Sequence, residues 1–477
     1  MASSPNHTLT QSQTHIVICP SAGIGHLTPF LRLASHLSSS LSSNSKLTIV
    51  LIRPSLSSAE STEISAFLAA HPHIATSEFH ALPPSSVAGQ HVDPFFLKYN
   101  AVFRSAGLLA DHLLTALSPP PLAVFSDLLF ASGLHETLDR ANIPSFTLIT
   151  TSARFLSLMV SLPRLRELNN GGKIEISGLA PIGVENVPPA FFDPNHLFRR
   201  FVGINCEYLK HAKGILVNSY DFLEPKSIPA LASGEALGSL PPIFAIGPLC
   251  PLRAQEGKGG YPWLDGQPPE SVVYVSFGSR TALSKDQIKE LGAGLEMSGV
   301  RFLWVVKTTI VDKEDDGKVR DLLGEEFLER TKERGVVVRE WVNQTEILAH
   351  PSVGGFVTHC GWNSVMEAAR GGMPLLAWPQ HGDQRVNAEV VEKAGLGIWE
   401  RGWGWGGSRL IKGEEIAEKI NKLMTNKGLR ESARRVGDEA RKAWEVEGSS
   451  SQMFNKISEM CHVCGEMENS TMVSAFG

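Results

Sequence analysis

The 477-residue sequence lacks several features that would assign it to a common class of protein. Its six cysteines are too few for a disulfide framework in a chain of this length. No apolar run approaches the roughly 18 residues that a membrane-spanning helix needs. The start, MASSPNHTLTQSQTH, is polar and uncharged, and the apolar run after it is short. We therefore expect a cytosolic (cytoplasmic) protein without membrane insertion.

The cysteines also argue against a metal or redox centre. We expect buried free thiols at four of them: Cys19, Cys206, Cys250 and Cys360. Cys461 and Cys464 are spaced as in a metal or redox pair, but the chain has no second pair at ligand spacing. An incidental pair in the tail is the interpretation we favour.

Basic clusters are also missing. The formal charge is -5 with 44 Lys and Arg against 49 Asp and Glu, and the pI is near 6.4. This balance argues against nucleic acid or an anionic membrane as the main partner. The 42% apolar and 19% charged residues are ordinary for a globular protein, and the length predicts two or three domains.

Two series of alternating strand and helix patterns are present. The first contains strands HIVICP, LTIVLI, LAVFSD and SFTLIT, helices FLRLASHLSSSL and SGLHETLDRA, and a long helical segment around Asp93 to Leu117. The second contains strands VVYVSFG, FLWVVK, GVVVREW, GGFVTH and PLLAWP. Such alternation predicts an α/β protein with two Rossmann-like parallel-sheet domains facing across a cleft. The predicted segments are a first domain (1–245), a turn-rich linker (246–262), a second domain (263–443), a terminal helix (444–460) and a tail without assigned order (461–477).

Several residues lie at the carboxyl ends of these strands. They are Ser126, Asp127, Thr150, Phe277 to Ser279, Trp341, His359 and Gln380 to Gln384. Because ligands bind at the carboxyl ends of parallel strands, we expect these residues to meet in one cleft.

The segment from Trp341 to Gln384 carries the groups needed to hold a uridine diphosphate sugar. A buried strand ending at Thr358 is followed by a glycine-containing turn and a helix starting near Asn363 and Ser364. The first N–H groups of such a helix bind a diphosphate without metal, and His359 adds a donor. Glu367, about one turn later, suits the ribose hydroxyls.

The ends of this segment complete the site. Trp341 offers a flat face for uracil, and Asp383 with Gln384 suits sugar hydroxyls. Taken singly, each of these residues has a structural explanation. Trp341 could be a core residue, and Asn363 or Ser364 could be a helix cap. Glu367 could be a solvated helix residue, and His359 a buried structural histidine. Together they favour a nucleotide-sugar site, and hence a glycosyltransferase.

A second constellation follows the first strand. Gly23-Ile24-Gly25-His26 could indicate dinucleotide binding, but the third glycine is missing and the second strand ends without an acidic residue. We interpret the glycines as a tight turn that projects His26 into the cleft as a general base. Asp127 would orient its ring. The alternatives are a structural histidine and a capping aspartate.

The chain resembles the plant secondary-product UDP-glycosyltransferases. The match to their signature box includes Trp341, Gln344, His350, Gly354, Phe356, Thr358 to Ser364, Glu367, Gly372, Pro374, Pro379, Asp383 and Gln384, whereas Asn343 stands where the family usually has proline. The resemblance implies the GT-B fold, with acceptor bound by the first domain, UDP-sugar by the second, and the terminal helix returning to the first.

The resemblance also assigns residues. His26 and Asp127 fall on the catalytic dyad, within PSAGIGHLTPFLRLA and VFSDLLFASG. It implies sugar contact by Thr150 and phosphate contact by Ser279. The further donor-binding positions are Gly25, Trp341, Val342, Gln344, His359, Gly361, Trp362, Asn363, Ser364, Glu367, Asp383 and Gln384. UDP-glucose is the sugar-donor substrate, so no cofactor is expected. We also expect no metal and a monomer.

Three segments, VDPFF, SFGSRTALSKDQIKELGAGLE and FLWVVKTTIVDKED, look like the aromatic C-glycosyltransferase subgroup. This implies an inverting enzyme that joins glucose to a ring carbon of a flavonoid, benzophenone or acetophenone-type polyphenol. Phe95, Phe155 and Phe192 are candidates for the acceptor pocket, although phenylalanines are core in most proteins. The nearest alternative function is an O-glucosyltransferase of the same fold. Two alternatives from other classes are a nicotinamide oxidoreductase and a catalytically inactive nucleotide-sugar-binding module.

Overall fold

The structure, a computed structural model, describes residues 14–40, 45–54, 57–84, 94–234, 240–249, 261–307, 318–340 and 342–461. Of Pro94 and Phe95 only the backbone is described.

The first half of the chain folds around a parallel sheet. Its strands are β1 (His15–Cys19), β2 (Lys46–Arg53), β3 (Ala75–His80), β4 (Ala123–Asp127), β5 (Ser145–Ile149), β6 (Asn169–Asn170), β7 (Lys173–Ile174), β8 (Ile182–Gly183), β9 (Gly214–Val217) and β10 (Ile243–Ala245). Its helices are α1 (Ile24–Ser40), α2 (Ser58–Ala70), α3 (Pro94–Arg104), α4 (Ala106–Thr115), α5 (Ala131–Arg140), α6 (Ala153–Val160), α7 (Leu197–Tyr208) and α8 (Ser227–Ser233). Seven strands form the sheet in the order β10-β9-β5-β4-β1-β2-β3, and the short β6, β7 and β8 pair antiparallel.

The second half repeats this architecture. Its strands are β11 (Val272–Ser276), β12 (Arg301–Val305), β13 (Gly335–Val338), β14 (Val353–Thr358), β15 (Leu375–Ala377) and β16 (Gly397–Trp399). Its helices are α9 (Pro262–Asp265), α10 (Lys285–Ser298), α11 (Val319–Leu323), α12 (Glu325–Thr331), α13 (Gln344–Ala349), α14 (Trp362–Gly371), α15 (Gln384–Lys393), α16 (Gly413–Thr425) and α17 (Lys427–Lys442). The parallel order is β13-β12-β11-β14-β15-β16. Central strands such as β11 and β14 are buried throughout, as expected where helices cover both faces.

The long helix predicted around Asp93 to Leu117 is two helices in the structure, and Asp93 itself lies outside the described residues. The break falls at Ser105, whose N–H bonds the carbonyl of Val102 at 3.0 Å, three residues back. Its hydroxyl donates to the carbonyl of Ala101 at 2.7 Å and accepts the N–H of Leu82 at 2.8 Å. Local bonding of this kind competes with a continuous helix.

A helix over residues 449–461 packs on the first half after the second half is complete. Phe454, Ile457 and Cys461 are buried in one core with Ile16 of β1 and Phe30 of α1. Cys461 is therefore core rather than tail. The free, buried thiols expected at Cys19, Cys206 and Cys360 are confirmed, and Cys250 and Cys464 lie outside the described residues.

Buried polar contacts join the two halves behind the cleft. The indole N–H of Trp362 donates to the carbonyl of Asn218 at 2.7 Å, and the hydroxyl of Tyr220 donates to the carbonyl of Val436 at 3.1 Å. Both rings are almost fully buried. The halves thus share a packed interface that fixes the two sheet edges relative to each other.

Candidate active site

His26 lies in the first turn of α1, directly after β1. Its Nδ1 is 2.7 Å from Oδ2 of Asp127 and 3.3 Å from Oγ1 of Thr150. Because β1 and β4 are parallel neighbours, with Cys19 opposite Ser126, the residues that follow them meet at one sheet edge. The other oxygen of Asp127 accepts the N–H of Leu129 at 2.9 Å, which fixes the carboxylate. With Nδ1 engaged, Nε2 is the nitrogen that can accept a proton.

The turn that carries His26 is held by a residue that the sequence pattern does not identify. Gly23 has a φ of 103°, a conformation that favours glycine. Its N–H donates to Oε1 of Glu60 at 2.6 Å, while Oε2 accepts the N–H of Ser57 at 2.7 Å in the capping box of α2. One buried carboxylate therefore caps α2 and secures the turn before His26. Glu60 is 37 residues from Gly23, so the local sequence pattern does not predict this contact.

Pro29, inside α1, leaves a backbone carbonyl free to contact the second half. Pro29 has no N–H, so the carbonyl of Gly25, four residues earlier, cannot receive the usual helical bond. Instead the side-chain amide of Asn363 donates to that carbonyl at 3.0 Å. The start of α1 and the start of α14 therefore meet across the cleft.

The turn between β14 and α14 has the strained geometry typical of a ligand-binding loop. Cys360 adopts a φ of 63°, which is uncommon for a residue with a side chain. Gly361 is the N-cap of α14 and has no side chain with which to satisfy the first N–H groups. A Cβ at Gly361 would lie 2.4 Å from the ring of His359, and one at Gly278 2.6 Å from it. Both glycines thus leave room for His359.

Burial, together with the charge of nearby His381, lowers the pKa of His359 to about 3. The ring is therefore neutral at physiological pH and presents one N–H donor. A neutral donor beside the positive end of a helix suits a diphosphate without adding like charge to the helix terminus.

The side chain of Glu367, one turn after Asn363 on α14, is held by two residues. The amide of Gln344 donates to its Oε2 at 2.8 Å and to Oγ of Ser364 at 3.0 Å. Arg32 of α1 donates to its Oε1. The carboxylate is thus fixed in the cleft between the halves.

Asn343, the departure from the family pattern, is the N-cap of α13, where its side chain accepts the N–H of Glu346 at 3.4 Å. It therefore caps the helix in place of proline. Val342 is half-buried against the core of the second half, which includes Phe356 of β14. Trp341 lies outside the described residues.

The turn before α15 is fixed by Gln384, whose Oε1 accepts the N–H groups of Gln380 at 2.8 Å and His381 at 2.9 Å. Its Nε2 is 3.3 Å from Nδ1 of His381.

The carboxylate of Asp383 lies beside this turn. Its Oδ2 accepts bonds from the hydroxyl of Thr151 and, at 2.8 Å, from the amide of Asn387. Burial raises the pKa of Asp383. Thr150 and Thr151, adjacent after β5, therefore contact His26 and Asp383 respectively. Thr151 follows a predicted position at a strand end, and that is the signal that could have found it.

The remaining predicted residues occupy different surroundings. Ser279 is half-buried beside Gly278. Phe155 is 2% exposed and stacks on Phe191, with ring centroids 5.6 Å apart. Phe192 is half-buried against the hydrophobic cluster that contains these two rings. The side chain of Phe95 lies outside the description. Trp362 is buried in the interface between the halves.

Within the described ranges, no group of three or more His, Cys, Asp or Glu side chains is arranged to hold a metal ion. None of the helices in those ranges is both long and apolar enough to cross a membrane.

We expect the initial rate to be unchanged in excess EDTA, because our prediction is that the start of α14, with His359, Asn363 and Ser364, donates to the diphosphate in place of a cation. UDP release with and without chelator measures this. A loss of rate that Mg²⁺ restores would contradict it.

Comparisons with known proteins agree with this architecture. A model of the family described as UDP-glucoronosyl and UDP-glucosyl transferase matches residues 247–401. UDP-glycosyltransferase 708C1 from Fagopyrum esculentum is 52% identical over 448 residues, covering 94% of this chain and 95% of that protein. UDP-glycosyltransferase CGT from Oryza sativa subsp. indica is 44% identical over 456 residues, covering 94% and 96%. The crystal structure of LpCGTa in complex with UDP superimposes with a TM-score of 0.83 at 41% identity, covering 94% and 99%.

Two facing Rossmann-like domains with this site define a glycosyltransferase of the GT-B fold. The chain belongs to the UDP-glucoronosyl and UDP-glucosyl transferase family, and the sequence-based prediction of that family is confirmed.

Proposed function

We propose that this enzyme transfers glucose from UDP-glucose to a ring carbon of a polyhydroxylated aromatic acceptor, with inversion at the anomeric carbon. The observation that carries the proposal is the paired His26 and Asp127, 2.7 Å apart, next to the start of α14. A base on one side of the cleft and a diphosphate-binding helix on the other suit a single displacement. The similarity to a relative named CGT supports carbon as the attacked atom.

In the proposed reaction, Nε2 of His26 removes a phenolic proton, and Asp127 stabilises the imidazolium that forms. Charge on the phenolate moves to an ortho carbon, which attacks C1 of glucose as the bond from C1 to the UDP oxygen breaks. The imidazolium then returns its proton to the ring oxygen, and the neutral His26 takes the proton from the attacked carbon, so that the ring regains aromaticity and the proton leaves to solvent. UDP, with its negative charge, is held at the start of α14.

Transfer to oxygen is the alternative, and it needs the same base and the same donor site. The two outcomes differ only in which phenolate atom faces C1, so the orientation of the ring decides between them. Rings of the phloroglucinol type are electron-rich at the carbons between hydroxyls, which makes carbon a competent nucleophile once a proton is removed.

The test is incubation with UDP-glucose and a trihydroxyphenyl ketone, followed by hot acid and tandem mass spectrometry. A C-glucoside survives the acid and fragments across the sugar ring. If every product loses an intact hexose under both treatments, transfer is to oxygen. If UDP release does not depend on the acceptor, neither form of the proposal stands.

The proposed donor contacts are uracil to Trp341, ribose to Glu367, diphosphate to Ser279, His359 and the start of α14, and sugar to Thr150, Asp383 and Gln384. The acceptor class, a monomeric state and a cytosolic location stay predictions.

We expect UDP-glucose to react faster than UDP-galactose. Two backbone N–H groups hold the amide oxygen of Gln384, which fixes the direction of its amide nitrogen, and we propose that this nitrogen contacts the sugar hydroxyls. A misplaced hydroxyl leaves buried polar groups unpaired and lowers kcat/KM. Initial rates with the two donors at equal concentration measure the preference, and a faster rate with UDP-galactose would refute it.

A further inference from the structure

Arg32 is a buried cation that joins the two halves beside the nucleotide site. It lies on α1, seven residues and about two helical turns after Gly25, so both residues lie on one face of the helix. Its guanidinium donates to Oε1 of Glu367 and, at 3.2 Å, to the carbonyl of Leu249. Only 9% of the Arg32 side chain and 7% of the Glu367 side chain are exposed.

The two helices are therefore docked at two points in the same register. Gly25 of α1 contacts Asn363 of α14, and Arg32 contacts Glu367 one turn further along α14. Removing the Arg32 contact leaves the Asn363 bond, the buried Trp362 bond and the rest of the interface in place. A change at Arg32 thus acts on the Glu367 carboxylate and on the carbonyl of Leu249, and it leaves these other interface contacts in place.

The bonding of Glu367 leaves capacity for a ligand. Arg32 donates to one carboxylate oxygen and Gln344 to the other. A carboxylate accepts about four hydrogen bonds, so these two donors fix its plane and still leave room for two hydroxyls. Such a geometry matches the adjacent 2′- and 3′-hydroxyls of ribose.

A second carboxyl group stands near Arg32 but is directed elsewhere. Glu63 of α2 accepts the hydroxyl of Thr28 at 2.7 Å. Burial raises the pKa of Glu63, and the neighbouring charges of Glu367 and Glu60 act in the same direction while Arg32 opposes them. The hydrogen bond that Glu63 accepts comes from Thr28, whereas the guanidinium of Arg32 donates to Glu367.

We propose that Arg32 is a positioning residue for the donor: it orients the Glu367 carboxylate toward the ribose of the UDP-sugar and couples the His26 helix to the nucleotide-binding helix. This rests on the proposed ribose role of Glu367. An arginine fits this task because its planar fork binds a carboxylate and a carbonyl at fixed angles, whereas a lysine is a flexible point charge.

The experiment measures the affinity of UDP and of 2′-deoxy-UDP by calorimetry for the wild type and for Arg32→Met, which keeps an apolar stem of similar length. We expect the wild type to prefer UDP about 10-fold or more, as for the loss of one hydrogen bond to a charged group. In Arg32→Met the affinity for UDP should fall about 10-fold and the preference should shrink below about threefold. The KM for UDP-glucose should rise by a similar factor with a smaller change in kcat, and Glu367→Ala should reproduce both effects.

Arg385→Met is the matched control. Arg385 is also a buried arginine that bonds across the interface, from its Nε to Oδ1 of Asn186 at 2.9 Å, but it does not contact Glu367. We expect this variant to keep the preference for UDP over the deoxy compound. Thermal unfolding of each variant separates loss of fold from loss of the contact. If Arg32→Met does not fold, Arg32→Lys replaces it, and its preference for UDP should fall at least threefold.

Three results would overturn the proposal. The first is an undiminished preference for UDP in Arg32→Met or, where that variant does not fold, in Arg32→Lys. The second is tighter binding of UDP by Arg32→Met, which would mean that Arg32 competes with ribose. The third is a wild type that binds both nucleotides equally, which would remove the ribose role of Glu367. The product assay of the proposed function uses no deoxynucleotide, so failure of either proposal is recognised separately.

Discussion

Replacing His26 by alanine should reduce the rate of glucose transfer about 10²–10⁴-fold, the usual contribution of a general base. The affinity for UDP should hardly change. The structure gives the reason, because α1 contacts α14 through the backbone carbonyl of Gly25 and through Arg32, and the substitution leaves both in place. Steady-state rates with a saturating phenolic acceptor and calorimetry with UDP measure the two quantities.

Asp127→Asn is the informative companion variant. An asparagine side chain can keep the bond to Leu129, but its amide group can hold the imidazole in the wrong tautomer. We expect a loss of rate smaller than for His26→Ala, again with unchanged affinity for UDP. Near-normal turnover by His26→Ala would remove this histidine from the mechanism.

The sequence predicts the central strands well because their signal is strong. The strands β1, β4, β5, β11 and β14 are rich in apolar residues, and every residue in them is buried. The pattern fails where that signal is weak. The edge strand β3, ATSEFH, exposes alternate residues, and the strands β9, β10 and β16 have only three or four residues each. Short and edge strands depend on pairing partners that are distant in sequence.

Some residues of the candidate site could be predicted from the sequence, and others could not. His26, Asp127 and Thr150 follow strands, so a rule about strand ends brings them together before any coordinates are known. Arg32 lies within the helix pattern FLRLASHL, where a charged residue reads as solvated, yet it is 8% exposed because the second half covers it. Glu60 and Thr151 likewise act on partners from other elements. Contacts of this kind depend on how the two halves dock, which periodicity does not encode.

The interface between the halves contains a buried ion pair next to the site. Nε of Arg154, on α6, donates to Oε2 of Glu389, on α15, at 2.9 Å, and the two side chains are 5% and 9% exposed. The guanidinium also donates to the carbonyl of Ala180 at 3.0 Å. Glu224 accepts the backbone N–H groups of Ala153 and Arg154 at 2.9 and 2.8 Å, which fixes the start of α6.

Arg154→Met should therefore lower the free energy of unfolding by about 3–5 kcal/mol, because it leaves the Glu389 carboxylate buried without its main partner. Lys393, 3.0 Å from the other carboxylate oxygen and half exposed, offsets little of this loss. The matched control is Arg140→Met, which removes an exposed pair with Glu136 and should cost about 0–1 kcal/mol. Urea unfolding followed by tryptophan fluorescence measures both variants.

Replacing Glu389 by leucine in the Arg154→Met background should recover much of the loss, since a well-packed apolar pair often equals a buried ion pair in stability. Equal, small effects of Arg154→Met and Arg140→Met would show that the interface does not depend on this pair.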